Sequence, residues 1–134
     1  MRIDEHIRRD IVVIEPHGRL TVETEEQFTF AVRRLLKAGW TRLILDLGAI
    51  PYIDSCGLGA IAQAYVSAWR HGGELKLVRV TGRNQCLLTI TKLATVFDIY
   101  DSAEDAEHGF AAGGRFADAS VIRAIRHSAQ SVVI

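Results

Sequence analysis

The sequence has few cysteines and prolines, and it has no excess of either charge. Its 134 residues include two cysteines and two prolines, and sixteen basic residues balance sixteen acidic ones. Cys56 and Cys86 lie far apart, without a CxxC pair or a nearby histidine pair, which argues against a disulfide framework or a zinc site. The cysteine usage predicts two reduced thiols in a cytoplasmic protein.

The balanced charge and the short apolar runs narrow the range of partners. Binding to nucleic acid or to an anionic membrane draws on a basic surplus, and this chain has none. No apolar run approaches the roughly 18 residues that cross a bilayer. The opening MRIDEHIRRD is charged throughout and lacks the apolar stretch of a secretory signal. We therefore expect neither a nucleic-acid partner nor direct membrane insertion.

Hydrophobic periodicity predicts an α/β domain. A chain of this length forms one domain and buries roughly 68% of its unfolded surface. After an opening hairpin, predicted strands alternate with predicted helices, which is the pattern of an α/β fold. The strands are predicted at 3–7, 11–14, 43–47, 50–53, 74–80 and 97–100, and the helices at 24–37, 55–70, 83–93 and 102–110.

The last part of the sequence differs in character from the rest. A glycine pair at 113–114 interrupts the final predicted helix, and the residues beyond it carry three arginines and one aspartate. We divide the chain into a domain at 1–110 and a tail or extra helix at 111–134. The second segment is interpreted either as a loosely docked tail or as a helix that contacts a partner or covers a sheet edge.

The stretch YIDSCGLGAIAQAY, residues 52–65, places an acid and a hydroxyl between a predicted strand and a predicted helix. Asp54 is typical of a helix cap, because its oxygen accepts a bond from an unpaired backbone N–H group. Ser55 follows at the helix start, with Cys56 next to it. The stretch is compatible with a plain cap, a nucleotide site or a regulated hydroxyl.

A nucleotide-binding module is one alternative, since residues 57–62 fit the pattern G-x-G-x-x-A. That pattern normally follows the strand directly and is paired with an acid at the end of the next strand. Here Asp54 and Ser55 intervene, and the next strand ends in Arg79. These departures from the pattern weigh against a dinucleotide site.

A nucleophilic enzyme is a second alternative, with Ser55 or Cys56 as the nucleophile. Either residue needs a general base within hydrogen-bonding reach. The five histidines are scattered along the chain and are interpreted as solvated surface residues. Turn formation explains Asp46, and helix capping explains Asp54. We predict no catalytic residue, no cofactor and no metal.

Regulation by phosphorylation is the third alternative for Ser55. At the first turn of a helix, free N–H groups and the helix dipole tolerate an added dianion. A phosphoryl group adds a charge of about −1.5 to −2 at neutral pH. The modification therefore preserves the fold and changes the charge of the surface.

The sequence also resembles a known family, the STAS domain as found in bacterial anti-sigma factor antagonists. The similarity runs over about 7–110, and its most specific part is YIDSCGLG, which matches the family pattern Asp-Ser-x-Gly-Leu-Gly. HGGELKLV and KLATVFDIYDSAEDA follow at the expected places. The resemblance implies a mixed β-sheet with helices packed mainly on one face.

The resemblance also implies a function and a set of site residues. In the antagonists, the serine after the motif aspartate is phosphorylated by an anti-sigma factor, a serine kinase with a histidine-kinase-type ATP-binding fold. Here that serine is Ser55. The unmodified antagonist sequesters the kinase, the phosphorylated form releases it, and a phosphatase restores the first state. The residues expected to bind the partner or support the site are Asp54, Cys56, Gly57, Leu58, Gly59 and Thr21.

One departure from the family pattern concerns Thr21, which stands where many members carry an aspartate. The family also includes scaffold subunits of stress-sensing complexes and parts of lipid-transport machinery. A STAS interaction module that is not phosphorylated is therefore the main alternative function. A homodimer is compatible with either interpretation.

Overall fold

The computed structural model of the protein describes residues 1–111, which form a five-stranded sheet and four α-helices. The strands are β1 (Arg2–Arg8), β2 (Ile11–His17), β3 (Arg42–Asp46), β4 (Glu74–Val78) and β5 (Asp98–Tyr100). The helices are α1 (Glu25–Lys37), α2 (Ser55–Arg70), α3 (Gly82–Ile90) and α4 (Ala103–Ala111), and a 3₁₀ turn spans Leu93–Thr95.

The strands lie in the sheet in chain order. β1 pairs with β2 as an antiparallel hairpin, and β2, β3, β4 and β5 run parallel to one another. Parallel strands need a crossover connection, and α1, α2 and α3 provide one between each successive pair. This arrangement confirms the predicted α/β class and the mixed sheet.

The helices cover the two faces of the sheet unequally. α1, α2 and α3 contribute to the larger core cluster, which includes Val12, Leu43 and Leu77 from the sheet. On the other face, Phe110 and Ala106 of α4 pack in a smaller cluster with residues from β2, β3 and β4. The prediction that the helices pack mainly on one face is confirmed.

A buried lysine lies beneath α4. The Lys76 side chain is 2% exposed, and its Nζ lies 3.1 Å from Oδ2 of Asp98. The same ammonium group lies 4.8 Å from the ring centre of Phe110 and 5.3 Å from that of Tyr100. The carboxylate and the two aromatic faces together compensate the charge of Lys76.

The predicted strand at 50–53 is wrong. Only Ile53 forms a bridge there, parallel to Leu20. Ile50 and Ile53 are buried, but they lie in the connection between β3 and α2. Pro51, between them, has no N–H group to donate to a strand ladder. The apolar run therefore marks a buried connection.

The predicted division of the chain into 1–110 and 111–134 stays a prediction. Helix α4 ends at Ala111, and residues 112–134, where a docking tail or extra helix was expected, lie outside the described residues. Within the described part, no helix combines the length and the apolar character needed to cross a membrane.

Candidate functional site

Helix α2 begins at Ser55 because Asp54 caps it. The backbone of Asp54 is extended, with φ of −93° and ψ of −177°. Its Oδ1 accepts a 2.8 Å hydrogen bond from the N–H of Gly57, and its carbonyl accepts one of 2.9 Å from the N–H of Leu58. The predicted cap is confirmed, and it fixes where the hydroxyl of Ser55 enters the helix.

The second carboxylate oxygen of Asp54 ties α2 to the loop that follows β2. Oδ2 accepts a 3.1 Å hydrogen bond from the N–H of Val22. The N–H of Asp54 donates to the carbonyl of Leu20, and the N–H of Leu20 donates to the carbonyl of Tyr52. Asp54 therefore joins two segments more than thirty residues apart in sequence.

Gly57 is needed where α2 passes close to that loop. A Cβ atom at this position would lie 2.2 Å from the carbonyl oxygen of Leu20. At Gly59, a Cβ atom would meet nothing within 4 Å. The first glycine of the motif thus serves close backbone packing.

The same geometry weighs against the nucleotide-binding alternative. Dinucleotide sites place a pyrophosphate at a helix N-terminus. Here the carboxylate of Asp54 already occupies that end of α2 and accepts from the N–H of Gly57. That N–H group is therefore already paired within the protein and is not free to bind a pyrophosphate.

Ser55 is half-buried, and its hydroxyl has no hydrogen bond to another described residue. Cys56 and Gly59 are half-buried as well, and the thiol of Cys56 is free. Gly57 and Leu58 are buried, with Leu58 0% exposed. The half-buried positions are thus partly accessible to solvent, whereas Gly57 and Leu58 lie inside the protein.

An open cleft of about 450 Å³ lies beside the start of α2. Thr21, Val22, Tyr52 and Asp54 contribute to its lining. Thr21 shapes this loop, since its N–H donates to Oγ1 of Thr24 over 3.0 Å. Of the predicted site residues, the cleft brings Thr21 and Asp54 together.

Two arginines that the sequence interpretation missed lie over the ring of Tyr52. The guanidinium carbon of Arg83 is 4.0 Å from the ring centre, and that of Arg19 is 4.6 Å from it. Tyr52 is three residues before Ser55 and lines the same cleft as Arg19. No local pattern joins these arginines, because they are separated by more than sixty residues.

A third arginine connects the ends of three strands. Arg79 Nε donates to Oδ1 of Asp46 over 2.8 Å, and its Nη2 lies 2.8 Å from Oε2 of Glu15. The hydrogen bond to Asp46, together with the charges of Asp46 and Glu15, raises the pKa of Arg79 above its ordinary value. Asp46 also accepts from the N–H of Gly48, which confirms the predicted turn.

The prediction that every histidine is a solvated surface residue is wrong for His17. Its side chain is 28% exposed, and its Nε2 lies 2.9 Å from Asp4 and 3.0 Å from Glu15. These three residues form a cluster of atoms that could hold a metal. In this structure the carboxylates instead face cations, Arg2 beside Asp4 and Arg79 beside Glu15.

The hypothesis of a nucleophilic enzyme requires a general base beside Ser55 or Cys56. Among the described residues, no histidine is hydrogen-bonded to Ser55 or Cys56. His17 contacts the carboxylates named above, and the Nδ1 of His71 lies 2.8 Å from the carbonyl of Ser67, at the far end of α2. The described residues therefore give no support to a histidine-activated nucleophile at Ser55 or Cys56.

Fold and site together define a class: a mixed α/β domain that presents a serine hydroxyl at a helix start, beside a capping aspartate. The chain belongs to the STAS domain family, whose model matches residues 2–106.

Relatives agree with this assignment. The chain is 31% identical, over 75% of its length and 89% of the relative, to a Thermotoga neapolitana protein named "putative anti-sigma factor antagonist". It resembles the crystal structure of a protein of the same description from Thermotoga maritima, with a TM-score of 0.74 and 28% identity over 80% of this chain and 92% of that one.

A more distant likeness is to the anti-sigma factor antagonist SpoIIAA in its unphosphorylated form. The TM-score is 0.63 at 19% identity, covering 84% of this chain and 100% of the other. At this identity the likeness shows the fold.

Proposed function

We propose that the protein is an anti-sigma factor antagonist that is controlled by phosphorylation of Ser55. In the unmodified state it binds and sequesters an anti-sigma factor, a serine kinase with a histidine-kinase-type ATP-binding fold. Phosphorylation of Ser55 releases this partner, and a phosphatase restores binding. The protein acts in the cytoplasm as a binding protein and not as an enzyme.

The observation that carries the proposal is the placement of the Ser55 hydroxyl. It is half-buried, without a hydrogen bond to another described residue, at the first position of α2. A hydroxyl in this position is accessible to a kinase, and its modification breaks no hydrogen bond in the described part of the chain. The names of the Thermotoga relatives support the same function.

The proposed switch works by charge. A phosphoryl group adds a charge of about −1.5 to −2, and Asp54 next to it makes the patch more anionic. The dipole of α2 compensates part of this charge, so that the fold survives. In a complex packed against Ser55, an unpaired buried charge costs about 3–5 kcal/mol. That cost corresponds to roughly a 200- to 5000-fold loss of affinity.

The residues around Ser55 hold it in place. Asp54 orients the start of α2 through its bond to Gly57, and the carbonyl of Leu20 packs against Gly57. We propose that Cys56, Gly59 and Thr21 contact the partner, since they are half-buried around the same corner. Leu58 anchors the helix in the core.

Phosphorylation in vitro tests the site. The protein is incubated with the anti-sigma kinase of its host and labelled ATP, and the labelled peptide is identified by mass spectrometry. We expect label on Ser55 and none in S55A. The matched control is S102A, since Ser102 is likewise a helix-start hydroxyl, accepting from the N–H of Asp105. Label that persists in S55A contradicts the assignment.

Affinity for the kinase tests the switch. We expect S55D to bind far more weakly than wild type, because the added carboxylate imitates part of the phosphoryl charge. Its circular dichroism and melting temperature stay close to wild type, since an acid at a helix start is favourable. Equal binding by S55D and wild type would instead support the scaffold alternative, in which partners bind regardless of phosphorylation.

A further inference from the structure

The pair of arginines over Tyr52 is the charged feature of the site that the switch at Ser55 does not use. Arg19 lies in the loop after β2, and Arg83 lies in the first turn of α3. The ring of Tyr52 holds both guanidinium groups, at 4.6 and 4.0 Å from its centre. Both arginines are solvent-exposed, and Tyr52 is half-buried.

Neither guanidinium is paired with an acid inside the described part of the chain. The arginines that form ion pairs there are Arg2, Arg8, Arg9, Arg34, Arg42 and Arg79. Asp54 and Glu23 lie in the same cleft as Arg19. The two oxygens of Asp54 accept from the N–H groups of Gly57 and Val22, and Glu23 forms no ion pair with Arg19. The N–H donors of Arg19 and Arg83 are therefore left for an anion from outside.

The remainder of the chain offers little to complement them. Residues 112–134 carry three arginines and a single aspartate, Asp118. By side-chain charge, this segment carries more positive than negative groups and does little to neutralise Arg19 and Arg83.

We propose that Arg19 and Arg83, held by Tyr52, bind an acidic segment of the anti-sigma kinase and so help to select this partner. The inference rests on the proposed function, which places the kinase against Ser55. Arg19 and Tyr52 line the same cleft as Asp54, the neighbour of Ser55, so the arginine pair lies beside the surface on which the kinase is proposed to dock.

The chemistry of the pair fits carboxylates. A guanidinium that stacks on an aromatic face keeps the N–H groups at its edge free for a bidentate bond to a carboxylate. Stacking also restricts the side chain before binding, which lowers the entropy lost on association. Two such groups around one ring favour closely spaced carboxylates, as in a run of glutamates or aspartates.

Titration of the purified kinase onto the full chain tests this inference. We expect R19Q and R83Q each to weaken binding roughly tenfold, and the double variant to lose more than either alone. The double variant should also lose much of the salt dependence of the association rate. The control is R33Q, because Arg33 is exposed on α1 and forms no ion pair within the described residues.

Two variants of Tyr52 separate the role of its aromatic face, as a platform for the two arginines, from the role of its hydroxyl. Y52F keeps the aromatic face and should bind like wild type. Y52L removes the face and should weaken binding in the same direction as the arginine variants. Thermal unfolding of each variant shows whether the fold is retained. A loss of binding in Y52F equal to that in Y52L contradicts the platform.

A second measurement does not depend on the kinase. An oligoglutamate peptide is titrated while the Nε–Hε resonances of the arginines are followed by NMR, with an oligolysine peptide as control. We expect those of Arg19 and Arg83 to shift with oligoglutamate alone. Resonances that move only when Ser55 is phosphorylated would assign the pair to the phosphoryl group and overturn the inference.

The outcomes also separate this inference from the proposed function. If R19Q, R83Q and the double variant keep the wild-type kinase affinity while S55D binds weakly, the proposed role of the arginine pair is overturned. The proposed switch at Ser55 then still stands. A wild-type chain that does not bind the kinase at all overturns both.

Discussion

At the scale of single residues, the motif around Ser55 combines parts with different physical tasks. Asp54 supplies one oxygen to the first turn of α2 and the other to the loop at Val22. The two glycines that follow look equivalent in the sequence. In the structure, Gly57 lies against the carbonyl of Leu20, while Gly59 faces open space. Close packing therefore requires glycine at position 57 and does not require it at position 59.

The two glycines give a matched pair of substitutions. G57A should destabilise the protein by about 1–3 kcal/mol, because the new methyl group meets a backbone oxygen that cannot move without breaking the Leu20–Ile53 bridge. G59A should stabilise it by up to about 1 kcal/mol, since alanine is the better helix former. Urea denaturation measures both, and similar effects of the two substitutions would contradict this assignment.

At the scale of elements, Arg79 determines how the ends of the strands are held together. It follows β4 directly and adopts a left-handed conformation with φ of 54°. This turn directs its guanidinium across Gly48 toward Asp46 at the end of β3 and Glu15 in β2. The backbone strain at Arg79 is thus offset by two ion pairs that join three strands.

Two substitutions at Arg79 separate the strain from the ion pairs. R79A should destabilise the protein by about 1–2 kcal/mol, because Asp46 is 8% exposed and loses its charged partner. R79G loses the same pairs but relieves the left-handed strain, so it should be more stable than R79A by about 1 kcal/mol. Thermal unfolding of both variants checks the order, and R79A equal to or above R79G would contradict it.

The pH dependence of the Arg79 contribution has a definite sign. Its pKa is raised in the folded state, so the stability it adds is fully present below the unfolded-state pKa. That stability is lost only as the pH rises through the still higher folded-state value. The difference between wild type and R79A should therefore stay constant across the neutral and mildly alkaline range, as measured by urea denaturation.

At the scale of the whole molecule, the two faces of the sheet share the same strands. Val12 points to the larger core cluster and Val13 to the smaller one, and both come from β2. Helix α4 closes the smaller face with Phe110, whose side chain is 2% exposed. A substitution that removes packing on one face of the sheet should therefore also lower the stability of the other face.

F110A tests this coupling. We expect a loss of about 3–5 kcal/mol, with a smaller loss in F110L, which retains most of the apolar volume. Trp40 and Trp69 pack against the opposite cluster, so their fluorescence reports on the face that is not mutated. The fluorescence and circular dichroism midpoints should fall together in a single transition. Unchanged tryptophan unfolding would show that α4 is an independent unit.

The sequence predicts those features of this protein that depend on residues close together in the chain. Helices α1 and α2 and the first two strands follow from local periodicity, as does the cap at Asp54. The segment at 50–53 was predicted to be a strand and is a buried connection, because an apolar run predicts burial and does not predict strand pairing. Arg19 and Arg83 carry no local signal, since only the fold brings them to Tyr52.

The amino-acid sequence by itself determined the order of the elements apart from the strand predicted at 50–53, the start of α2 at Ser55 and, through YIDSCGLG, the family. These features depend on residues close together in the chain, where spacing sets the face of a helix or strand. Only the tertiary structure decided that Gly57 meets the Leu20 carbonyl, that Arg79 joins three strands and that two arginines share one ring. Those contacts join residues far apart in sequence, and periodicity specifies which side chains are buried but not which ones they meet.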